Sequence, residues 1–124
     1  MRIRFLSPKF HGLADYGAAL GLILFPFLLG LGQSSPIAVW LSVATGIVVV
    51  TASLLTDYYF GALRIIPFKL HLLADLSVAL LFTAAPFVLN FTGLDAYFYW
   101  ANAAIVFGII AVSQRSEPVD APQT

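Results

Sequence analysis

The chain has 124 residues, of which 60% are hydrophobic and 10% charged, and its formal net charge is zero. A soluble domain carries about 25% charged residues, so this composition, with a mean hydropathy of +0.95, excludes an ordinary water-soluble shell and points to an integral membrane protein. The absence of net positive charge excludes a basic nucleic-acid-binding surface, and the absence of cysteine excludes disulfides, thiolate metal sites and cysteine nucleophiles.

Residues 1–8 read as a short basic arm that ends in Ser7-Pro8, a helix cap followed by proline at the first helical position. Helix 1 is predicted over residues 8–31. Its apolar stretch is as long as a membrane span and has a near-copy inside the chain, which favours a retained helix over a cleaved signal. Pro26 lies inside it and predicts a kink. Gly17 and Gly21 form a small-residue stripe of the kind that lets helices approach closely in a bilayer. Residues 30–35 form a polar turn, and Ser35-Pro36 repeats the cap-and-proline start.

Helix 2 is predicted over residues 36–56. Its run of Val, Ile and Leu would suggest a strand in water. In lipid only helices and closed barrels satisfy their backbone, so a helix is the better reading. Residues 57–68 mix Tyr58, Tyr59 and Phe60 with Arg64 and suit an interfacial loop among lipid headgroups. Helix 3 is predicted over residues 68–91 with Pro86 as its interior proline. After a turn, in which Thr92 or Asp95 is a candidate cap, helix 4 is predicted over residues 94–114. Ala104 and Gly108 are its small packing residues, and Asn102, which matches Ser42, reads as an interhelical contact. Residues 115–124 read as a disordered polar tail.

The chain repeats itself at an offset of sixty. Lys9-Phe10-His11-Gly12-Leu13-Ala14-Asp15 returns as Lys69-Leu70-His71-Leu72-Leu73-Ala74-Asp75, and ten of the 22 positions from residue 9 to 30 match. Trp40/Trp100, Ala44/Ala104 and Ser53/Ser113 keep the same offset. The expected fold is therefore an all-α membrane protein of four transmembrane helices, built as repeat 1 (residues 9–56) and repeat 2 (residues 69–114). Each repeat holds two spans, so the copies are parallel and related by a pseudo-twofold axis along the membrane normal.

All six cationic residues, Arg2, Arg4, Lys9, Arg64, Lys69 and Arg115, fall on the side that holds both termini and the 57–68 loop. The positive-inside rule makes that side cytoplasmic. Trp40, Tyr97, Tyr99 and Trp100 form the expected outer aromatic belt, with Trp40 and Trp100 as interface anchors.

The pattern H-x-x-x-D, an apolar span with an interior proline-aromatic pair, a short turn and a second span opening near tryptophan resembles the SPW-repeat family of small bacterial membrane proteins. The likeness covers roughly residues 9–114. The family's Ser-Pro-Trp reads Phe25-Pro26-Phe27 and Ala85-Pro86-Phe87 here, so the proline is kept twice and its neighbours are not. The resemblance implies tandem two-helix repeats in a bacterial inner membrane and no established enzymatic activity.

His11 and Asp15 are spaced i, i+4 and share a helix face, as do His71 and Asp75. Ala18, Leu22, Pro26 and Leu29 continue the helix 1 face, which is expected to point into the bundle. Both pairs start on the same side at the same depth, and four readings stay open. The four groups join the halves by hydrogen bonds; they bind a divalent metal through two imidazoles and two carboxylates; the histidines ligate a haem b; or the carboxylates line a proton or ion path. No phosphate-binding glycine loop, catalytic triad or HExxH zinc motif is present. The leading expectation is a non-enzymatic inner-membrane protein with no cofactor, surrounded by lipid and serving as an accessory or scaffold subunit beside other membrane subunits or copies of itself. The alternative is a metal- or haem-binding redox or transport protein.

Overall fold

A computed structural model describes residues 8–56 and 61–113. It consists of α1 (Pro8–Leu28), α2 (Ile37–Leu55), α3 (Phe68–Val88) and α4 (Gly93–Val112). Each helix is long and apolar enough to cross a membrane. The predicted basic arm with its Ser7 cap, residues 57–60 of the predicted loop, Gln114 and the predicted tail lie outside the described residues.

α1 and α3 stop three residues before their predicted ends, for one local reason. Gly30 and Asn90 take left-handed backbone, with φ of 69° and 59°. The Leu31 N–H then donates to the Pro26 carbonyl at 2.9 Å and the Phe91 N–H to the Pro86 carbonyl at 3.0 Å. This is the six-to-one closure of a helix C-terminus, and Gly and Asn are the residues that tolerate it. α2 starts one residue later than expected, at Ile37 with Pro36 at the cap position, and the Ile37 N–H donates to Ser35 Oγ at 3.2 Å. At its far end, residues 62–66 fold back to satisfy the last carbonyls. The N–H groups of Ala62 and Leu63 donate to Leu54, and those of Ile65 and Ile66 to Leu55.

α1 packs against α2, and α3 against α4. α1 and α2 come close at Gly46, where a Cβ would lie 2.7 Å from Ile23 Cγ1 and 2.9 Å from the Ala19 carbonyl oxygen. The expected packing glycines are corrected here. Among the described residues, no atom of another helix comes within 4 Å of a Cβ built on Gly17 or Gly108, and Gly21 meets only Phe25 of its own helix. Ala104 is also exposed. The inward face of α1 carries His11, Asp15, Ala19, Leu22 and Pro26, while Leu29 is exposed and Ala18 only half-buried. Outward faces carry Leu13, Leu20, Leu28, Leu80, Phe87, Val88 and Ile105.

The two helix pairs meet in a core that includes Leu22, Leu31, Ala38, Phe82, Phe91 and Tyr99. Tyr99 is corrected from the outer belt to the core. It is 0% exposed, lies 4.4 Å from the Phe82 ring, and donates its hydroxyl to the Ala38 carbonyl at 2.8 Å. Trp40 and Tyr97 remain exposed, and Trp100 is exposed beside Phe87. Asp95 is corrected too. Rather than capping its own helix, its carboxylate accepts from the Gly32, Ser34 and Ser35 N–H groups and the Ser34 hydroxyl, binding α4 to the α1–α2 turn. Thr92 makes no side-chain cap either. Asn102 donates to Phe98 of its own helix, not to a neighbour. The interhelical contact falls instead to Ser42. Pro26 has no N–H for the Leu22 carbonyl, and the Ser42 hydroxyl donates to that carbonyl at 2.7 Å.

Equivalent positions change offset partway through the repeat. α1 and α3 start sixty residues apart, but the C-caps of α2 and α4, Thr56 and Ser113, are 57 apart. The shorter offset also pairs Gly46 with buried Ala103, and Thr45 with Asn102, each of which donates to the carbonyl four residues before it. The connection after α3 is shorter than the one after α1, and three residues is close to one helical turn. The same face therefore stays inward.

Candidate functional site

The repeated motif closes on itself. His11 and Asp15 come from the first two turns of α1, and His71 and Asp75 from the corresponding turns of α3. All four are buried, the histidines at 0% and 1% exposure and the aspartates at 6% each. His11 Nε2 lies 2.9 Å from Asp75 Oδ2 and 3.1 Å from Asp15 Oδ2. His71 Nε2 is in close contact with Asp15 Oδ2 and 3.4 Å from Asp75 Oδ2. One nitrogen or oxygen from each residue falls within 4.8 Å of all the others. The tighter contact of each histidine is to the aspartate of the other half, so the cluster bridges α1 and α3.

Two hydroxyls set the tautomers. The Ser113 hydroxyl donates to the Ile109 carbonyl, and the Thr56 hydroxyl to the Ala52 carbonyl at 2.6 Å. A hydroxyl has one proton to give, so each accepts from a histidine: His11 Nδ1–H donates to Ser113 Oγ at 2.7 Å and His71 Nδ1–H to Thr56 Oγ1 at 2.7 Å. Both imidazoles therefore turn Nε2 toward the carboxylates. Phe68 closes the cluster, with its ring 5.2 Å from His11 edge-on and stacked parallel to His71.

Two Nε2 atoms facing two carboxylates need positive charge between them, which protons or a metal cation can supply. This donor set suits either a hydrogen-bonded clasp or a divalent ion. It does not suit a haem between the histidines. The two imidazole rings stand at 85° with centroids 5.7 Å apart, and the carboxylates fill the space a porphyrin would need.

The expected residues His11, Asp15, His71 and Asp75 are thus brought together. Pro26 and Pro86 are buried farther along the same helices, inside their helical spans. Trp40 and Trp100 lie near Phe27 and Phe87, away from the cluster. Sequence reasoning missed Thr56 and Ser113, and it read Asp95 only as a cap. A signal for the first two existed: α2 and α4 end on the side where α1 and α3 begin, so hydroxyls at those ends reach the depth of the histidines. No family model, curated protein or solved structure matches the chain.

Proposed function

We propose that this chain is a small, non-enzymatic protein of a bacterial inner membrane, an accessory or scaffold subunit that works beside other membrane subunits or copies of itself. Two tandem two-helix repeats span the bilayer about a pseudo-twofold axis along its normal, the plan implied by the SPW-repeat resemblance. Both termini and the 57–68 connection face the cytoplasm, where all six Lys and Arg fall. Exposed Leu63 and Ile65 suit a connection lying against headgroups.

One observation carries the reading. The four side chains of the repeated motif, His11, Asp15, His71 and Asp75, are buried and engaged with one another, while the outward helix faces are apolar. Such a surface suits lipid and neighbouring helices, and among the described residues it presents no exposed acid–base pair to a substrate. Purification in mild detergent with mass determination tests the proposal. A defined multimer or a stoichiometric membrane complex is the expected result. A lone monomer with catalytic turnover would overturn it.

A further inference from the structure

We propose that His11, Asp15, His71 and Asp75 form a closed site for one divalent transition-metal ion of the zinc class, which pins α1 to α3. The inference goes beyond the accessory role and stands whether or not the chain has partners.

Four observations carry it. The first is the donor set. Two imidazole nitrogens and two carboxylate oxygens, one from each residue, lie within 4.8 Å of one another. With metal–ligand bonds of about 2.0–2.1 Å a tetrahedron sets its donors about 3.3–3.4 Å apart, near the 2.9, 3.1 and 3.4 Å histidine–aspartate separations already present. The second is the outer support. Metal-binding histidines generally donate their second ring N–H to an oxygen, which fixes the tautomer and aims the free nitrogen. Ser113 and Thr56 do this for both histidines, and helix carbonyls fix the hydroxyls in turn. The third is charge. Two carboxylates offset one divalent cation and two neutral imidazoles add nothing, so the filled site is neutral inside an apolar bundle. The fourth is burial: none of the four side chains is exposed.

The donors also select the ion. There is no thiolate for a soft monovalent metal, and two imidazoles disfavour calcium and magnesium, which prefer oxygen ligands. Four protein ligands leave no open position for a reacting water, which makes the site structural rather than catalytic.

The test uses the full chain, purified in mild detergent, stripped with a chelator and titrated with ZnCl2, with MgCl2 as control. One zinc per chain should survive desalting and raise the melting temperature, and MgCl2 should do neither. CoCl2 should give the intense visible bands of a four-coordinate ion. Asp75→Asn should lose the bound metal. Ser113→Ala keeps all four ligands and should weaken zinc binding by about 10- to 100-fold, with helicity and elution unchanged. A folded wild-type protein that retains neither zinc nor cobalt would overturn the proposal. So would a folded Asp75→Asn variant that binds zinc as tightly as wild type.

Discussion

At the scale of single residues, the cluster should behave as one unit whose strongest links cross between the halves. His11 lies 2.9 Å from Asp75 but 3.1 Å from Asp15, and His71 touches Asp15 more closely than Asp75. Removing one partner strands the other in a poorly solvated place and should cost about 3–5 kcal/mol. Removing both strands neither, so paired substitutions should cost less than their sum. Asp15→Asn combined with His71→Ala is expected to show a coupling of about 1–3 kcal/mol, larger than for His71→Ala with Asp75→Asn. Unfolding in detergent measures all four corners of each cycle. Additive losses throughout would mean four independent side chains and no shared site.

At the scale of elements, small residues matter only where a neighbouring backbone is close. Gly46 faces the Ala19 carbonyl and the side chains of Leu22 and Ile23, whereas a Cβ on Gly17 meets no neighbouring helix within 4 Å among the described residues. Gly46→Leu must push α1 and α2 apart and should lower stability by about 1–3 kcal/mol or more. Gly17→Leu should stay within about 0.5 kcal/mol, as for substitutions away from packed sites. Thermal melting of the two variants side by side decides it. A Gly17→Leu protein less stable than Gly46→Leu would show that the α1 stripe, not the α1–α2 crossing, is the tight contact. The interior prolines also act between elements, since Pro26 leaves a carbonyl that Ser42 of α2 takes up.

At the scale of the whole molecule, polar fastenings at opposite ends hold the helix pairs together, beside the Tyr99 bond to the Ala38 carbonyl. The His/Asp cluster joins the starts of α1 and α3 and is nearly symmetric. Asp95 joins the start of α4 to the turn between α1 and α2, and it has no acidic counterpart in the first half. In the proposed membrane placement the first lies toward the cytoplasm and the second toward the outside. Reporter fusions at Gln33 and Gly93 should therefore read as external, and a fusion at Gly61 as cytoplasmic. A cytoplasmic signal at both Gln33 and Gly93 would reverse that placement, and opposite signals at the two sites would break the proposed parallel arrangement of the repeats.

The number of helices and the matching positions of the two histidines near the starts of α1 and α3 were determined by the sequence alone. Apolar runs of about twenty residues bounded by turn residues are of membrane-span length and specify helices in lipid, where the backbone must satisfy itself, and an i, i+4 spacing puts His and Asp on one face by backbone geometry. The helix faces that touch were decided only by the tertiary structure. A helix that is apolar all round carries no polar side to mark its outside, so Gly17, Gly21, Ala104 and Gly108 look as suitable for packing as Gly46. Backbone proximity, not residue size, separates them. The partners of His11 and Asp95 lie 102 and about sixty residues away, in Ser113 and in residues 32–35. Such pairs arise only when four helices are stacked in one register, and the three-residue slip between the second helices of the two halves hides that register from a comparison of repeats at constant offset.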